Sequence, residues 1–178
     1  MRTACAICLA AAFFGGCGGA GDNNSAAAAP DPFLGPSLCS SGVMSSITEA
    51  EGPSMGPGRA CVSCHADSNA ATGENDAPIF AFAGTVYPSA HEPVDCVASG
   101  SEGAEVEITD ANGMVYTQPV NSAGNFFDES EGFAFPYSAK IKFQGRERRM
   151  LTAQAIGDCN ACHTEQGDLA APGRILLP

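Results

Sequence analysis

The stretch "AEVEITDANG" (104–113) alternates as a strand with one wet face must. Ala104, Val106 and Ile108 fall on one side, and Glu105, Glu107 and Thr109 on the other. Asp110–Gly113 then supplies a turn. The flanking text continues the pattern. "IFAFAGTVY" (79–87) is a short, almost wholly apolar run, which predicts a strand covered on both faces. "MVYTQPV" (114–120) and "GNFF" (124–127) follow, and Pro119, having no N–H for a ladder, puts this part at a sheet edge or bulge. "YSAKIKF" (137–143) sets Lys140 and Lys142 against Ile141 and Phe143, and "QG" turns the chain into "RERRMLTAQA" (146–155). Short strands joined by turns, with no amphipathic helix between them, predict a mainly β fold: a small antiparallel β-sandwich over 78–155.

The segment 80–155 resembles the carboxypeptidase regulatory-like or transthyretin-like sandwich, on "GTVY" (84–87), "AEVEITDANG" (104–113) and "NSAGNFF" (121–127). The resemblance covers under half of the chain and implies a domain that binds or spaces and does not catalyse.

Composition narrows the rest. A chain of 178 residues with 21 Gly, 12 Pro and 16% charged residues suits one small domain with loop-rich extensions. A net charge of -12 argues against nucleic acid, whose phosphates need a basic face. The N-terminal "MRTACAICLAAAFFGGCGG" carries one Arg and an apolar run too short to span a bilayer, as a signal peptide over 1–16 would. "FFGGC" resembles a bacterial lipobox, which implies lipidation of Cys17 and a cell-envelope location on the periplasmic side or outer surface, by sorting habit at the outer membrane. Phe14 stands where that pattern has Leu, and cleavage near Ala26–Ala29 is the other reading. Residues 17–54 read as a flexible tether and extension, with a helical turn or two over Ser46–Glu51.

The nine cysteines sort themselves. Cys5 and Cys8 lie in the signal segment and Cys17 is the lipid site. Cys39 and Cys96 form a possible disulfide in an oxidising compartment. The other four make "CVSCH" (61–65) and "CNACH" (159–163). In a CxxCH run, two thiols can add across the two vinyl groups of a haem while the next histidine reaches the iron. Two complete copies in an exported chain resemble multihaem c-type cytochromes. That resemblance implies two haem c groups, thioether bonds at Cys61, Cys64, Cys159 and Cys162, and iron ligation by His65 and His163. It divides the chain into haem segments at 55–77 and 156–178 on either side of the sandwich. One Cys₄ zinc site would draw on pairs far apart in the chain and leave both histidines unexplained. Thiol redox work expects a CxxC at a helix start after a strand, which neither flank offers.

The far side of each iron is then the open question. His91 is the one remaining histidine, so at most one iron can have two histidines within a single chain. Met55, in the loop just before the first motif, is the next candidate, ahead of Met44, Met114 and Met150. "AKIKFQGRERR" holds five of the eight Lys and Arg residues; it reads as solvated strand faces, or as a patch for propionates or an acidic partner surface. The expected function is a dihaem electron carrier, its partners other cytochromes or oxidoreductases and, through lipid, a membrane. The alternatives are a non-haem surface sandwich held by zinc or disulfides, and a haem sensor or enzyme with one open iron. Whether the two motifs meet or lie at opposite ends of the sandwich is not legible in the sequence.

Overall fold

The computed structural model describes residue 33, residues 35–45 and residues 52–178. The signal segment, Cys17 and the turn expected at Ser46–Glu51 lie outside the described residues.

The fold is mainly β, as the alternation requires. Its elements run α1 (Cys61–Thr72), β1 (Phe82–Tyr87), β2 (Glu105–Thr109), β3 (Val115–Pro119), β4 (Asn125–Asp128), β5 (Ser138–Phe143), β6 (Arg146–Arg149), α2 (Cys159–Cys162) and β7 (Ile175–Leu176). They form two sheets, β4-β1-β7 and β3-β2-β5-β6. The four-stranded sheet is antiparallel throughout, whereas β7 runs parallel to β1. Pro119 ends β3, an edge strand, where its missing N–H costs no ladder bond.

One apolar core lies between the sheets. Phe82 and Val86 of β1 and Phe126 of β4 meet Val106 and Ile108 of β2, Ile141 of β5 and Tyr137 just before it. The outward residues of β2 and β5 pair instead: Glu107 holds Lys140 at 2.6 Å and Lys142 at 2.5 Å. Arg149 pairs with Glu147, and Arg148 Nε donates to the Leu177 carbonyl at 3.1 Å. Three of the five basic residues of this stretch are thus ion-paired to carboxylates on the same sheet.

Two features depart from the sequence reading. "CVSCHADSNAAT" is a three-turn helix that starts at Cys61, where the sequence reading had a loop-rich segment and no helix start. Its pattern gave no sign because it buries none of its residues. The C-terminal segment is not a flank either, since it adds β7 to a sheet. The disulfide that the sequence allowed between Cys39 and Cys96 is present, with a Cα–Cα distance of 5.5 Å, and ties the N-terminal extension to the sandwich.

Candidate functional site

All six residues of β1 are buried, because both of its edges and both of its faces are used. On one edge β4 pairs with Phe82 through Thr85. The other edge is taken by the second CxxCH segment before β7 arrives. The Ala83 N–H donates to the Gly157 carbonyl at 3.0 Å, and Ala83 and Asp158 form a parallel bridge. The Thr85 N–H then donates to Oδ1 of Asn160 at 3.0 Å, so a side chain stands in for the ladder. Asn160 is the first variable residue of "CNACH". This docking demands glycine at two places. A Cβ on Gly84 would sit 2.9 Å from the Cys159 Cβ and 2.7 Å from Phe126, and one on Gly157 would sit 2.1 Å from the Ala81 carbonyl oxygen.

The first motif is fastened to the same place. Gly58 N–H donates to Thr85 Oγ1 at 2.9 Å. Arg59 forms a two-pronged pair with Asp95, Nε–Oδ1 at 2.7 Å and Nη2–Oδ2 at 2.6 Å. Asn160 Nδ2 reaches across to the Arg59 carbonyl at 2.7 Å. Asp158 Oδ2 accepts both the Ser63 N–H and the Ser63 hydroxyl at 2.9 Å. The two motifs therefore meet side by side on one edge of the sandwich, fastened through the variable residues of each.

Each motif histidine has the same arrangement. Nδ1 of His65 lies 2.8 Å from the Pro78 carbonyl, and Nδ1 of His163 lies 2.9 Å from the Gly173 carbonyl. A neutral imidazole with Nδ1 on a carbonyl carries its proton there and leaves the lone pair on Nε2 for a metal. Burial holds the His163 pKa below the ordinary histidine range, against a smaller raising effect from the Gly173 carbonyl, and so favours this neutral form. The His65 ring packs on Phe80, centroids 4.6 Å apart, and Phe80 on Phe127 at 5.0 Å.

The four motif thiols are unbonded. Burial, reinforced by the Asp158 charge, pushes Cys61 up to about 11; burial also raises Cys159 to about 12 and lifts Cys162. Reactive CxxC pairs need the opposite shift, so dithiol redox chemistry is disfavoured. Among the described residues, one group of three Cys, His, Asp or Glu side chains comes within 4.8 Å: Cys39, Glu92 and Cys96. Its two sulfurs are bonded to each other and supply no thiolate. No such gathering unites the four motif thiols, as a Cys₄ zinc site would require.

His91, the first candidate for a distal ligand, is committed elsewhere. It is buried, with Nδ1 2.6 Å from the Glu165 carbonyl and Nε2 2.8 Å from the Phe33 carbonyl. Neither ring nitrogen is free for iron in this arrangement. The structure uses His91 to join the N-terminal extension to the loop after the second motif. The two carbonyls, first Phe33 and then Glu165, raise its pKa above the ordinary value. Met55 is half-buried in a loop whose carbonyl accepts from Asn125 Nδ2 at 2.9 Å.

Four residues of this site escaped the sequence reading: Ser63, Asp158, Asn160 and Arg174. Arg174 is 1% exposed, and its guanidinium donates to the carbonyls of Glu92 (2.8 Å), Gly58 (2.9 Å) and His163 (3.2 Å). It also stacks over Tyr87 at 5.3 Å from the ring centroid. It thereby binds the entry to the first motif to the histidine of the second. A lone arginine in "APGRILLP" gives no sign of this in the sequence.

No family model, curated protein or solved structure matches the chain.

Proposed function

We propose that this protein is a dihaem c-type electron carrier of a bacterial cell envelope. The observation that carries the reading is the shared arrangement of His65 and His163, each with Nδ1 on a backbone carbonyl and Nε2 left to a metal, beside a pair of unbonded thiols. Cys61 and Cys64 with His65 would hold one haem c, and Cys159 and Cys162 with His163 the other. The fit extends to α1, twelve residues long with none buried, which offers an uncovered face to a large flat apolar group. Haem supplies one-electron chemistry when bound. The chain's own residues attach it, fix the imidazoles and set the two groups side by side. Adjacent motifs favour electron passage within one chain over a role as a spacer.

The remaining parts of the reading rest on the sequence. Lipidation at Cys17 would anchor the protein, most simply to the outer membrane. Its partners would be other cytochromes or oxidoreductases. A second reading, a haem sensor or enzyme with one open iron, is favoured by the commitment of His91 to two carbonyls.

The test is expression with the haem-attachment machinery, followed by a pyridine haemochrome spectrum and an intact mass. Two covalent haems per chain are expected, and one fewer in each of the Cys61→Ala/Cys64→Ala and Cys159→Ala/Cys162→Ala variants. A chain that carries no covalent haem overturns the proposal. Fast CO binding by the reduced protein would move it to the second reading.

A further inference from the structure

We infer that Asp158, the residue before the second motif, is a positioning residue for the first motif and a fixed charge shared by both haem groups. This rests on the haem reading above.

The geometry is unusual for a helix start. The N-cap position of α1 is Ala60, which has no side-chain acceptor, so the N-terminus of the helix has no side-chain cap from its own cap residue. Ser63 is at the third helical position, where the N–H has no partner within the helix. The acceptor arrives from 95 residues further along the chain: Asp158 Oδ2, at 2.9 Å from both Ser63 N and Ser63 Oγ. Asp158 cannot easily move to suit the helix. It is 5% exposed, bridged to Ala83 of β1, and lies between Gly157, which bonds to Ala83, and Asn160 two residues on, which bonds to Thr85. Since α1 buries none of its own residues, this external cap is among the few interactions that hold Cys61, Cys64 and His65 against the sandwich. The first motif is therefore kept in register by the segment that carries the second.

The same carboxylate has one oxygen with no donor. Oδ1 is buried and unpartnered, so part of its charge is not offset by any hydrogen bond. Asp158 contacts Ser63 inside the first motif and directly precedes Cys159 of the second, so its charge lies against both. A negative charge between the two attachment sites opposes the arrival of an electron at either, and lowers both potentials.

Two substitutions separate the roles. Asp158→Asn keeps an oxygen for Ser63 but removes the charge; Asp158→Ala removes both. In the wild-type holoprotein both motifs load. The Asn variant is expected to load both motifs, with both midpoint potentials moved positive in a redox titration. The Ala variant is expected to lose haem at the first motif several-fold relative to the second, by peptide mass mapping. It is also expected to lose hydrogen-exchange protection at the first turn of α1 in haem-free protein. The inference is overturned by an Ala variant that loads and protects like wild type, or by an Asn variant with unmoved potentials. If the Ala variant fails to accumulate, the Asn potentials decide. Failure of the wild type to bind covalent haem overturns the functional reading instead, and the exchange measurement still tests the cap.

Discussion

Gly157→Ala is the smallest change that attacks the docking of the second motif. A Cβ there would lie 2.1 Å from the Ala81 carbonyl oxygen, 3.2 Å from its carbon and 3.3 Å from the Phe82 Cα. All three are backbone atoms of a segment buried in the sheet, so no side chain can swing aside. The run 157–160 must back away from β1. That movement weakens the Ala83 N–H bond to Gly157 and both bonds between Asn160 and Thr85, one of them Nδ2 to Oγ1 at 3.0 Å. Overpacking of this kind costs about 1–3 kcal/mol, and each weakened buried hydrogen bond about 1 kcal/mol more. These terms total about 4–6 kcal/mol at full strength; with the three bonds lengthened rather than lost about 3 kcal/mol remains, a drop in Tm of roughly 6–12 °C for a chain of this size. Urea and thermal unfolding of the disulfide-intact protein measure it. Gly35→Ala is the control, since a Cβ at Gly35 meets nothing within 4 Å. A Gly157→Ala variant within about 0.5 kcal/mol of wild type would refute the packing of the second motif against β1.

Removing the Cys39–Cys96 bond, by Cys39→Ser/Cys96→Ser, is expected to cost about 4 kcal/mol in the chain-entropy treatment of a 57-residue separation; chemical denaturation of the two forms gives the difference, and equal midpoints would contradict it. His91 should stabilise the fold in its protonated form, because only the imidazolium can donate from both nitrogens to Phe33 and Glu165. Its folded pKa lies above the unfolded value, so the contribution is complete below about pH 6.5 and is lost as pH rises through the folded pKa. Proteolytic cleavage near residues 33–45, followed on reducing gels because the Cys39–Cys96 bond otherwise holds the pieces together, should accelerate as pH rises through the folded His91 pKa in wild type and be insensitive to pH over that range in His91→Gln. A wild-type profile that stays flat would count against the two carbonyl contacts.

What the sequence reveals here is the periodic part. β2 and β5 are legible because each has one dry face and one wet face, and the paired charges of Glu107, Lys140 and Lys142 fall on the face their alternation assigns. The CxxCH runs stand out because the whole pattern is contained in five consecutive residues. The helix α1 is not legible, since its residues bury nothing and so write no 3.6-residue pattern. The meeting of the two motifs is hidden for another reason. It depends on Asn160 taking the place of a backbone acceptor for Thr85 and on Asp158 capping a helix that begins far away in the chain. Before a helical turn, an aspartate reads as a cap for that turn. His91 shows the opposite error: sequence arithmetic left it as the spare histidine, whereas the fold had two backbone carbonyls waiting for it.

The position of the second motif also bears on why the sandwich is present at all. A central strand with one paired edge leaves a row of donors and acceptors that must be covered. β7 covers only Val86 and Tyr87. The Ala83 and Thr85 N–H groups go to Gly157 and Asn160, so the residues around Cys159 complete the sheet as well as presenting the thiols. A rigid sheet edge is a better platform than a loop for groups whose relative position must be kept within a fraction of an ångström. The first motif takes its alignment from that edge through Thr85, Asn160 and Asp158, and Arg174 closes the junction from behind. Disturbing the edge should therefore change both motifs together, whereas disturbing α1 beyond its first turn should change one.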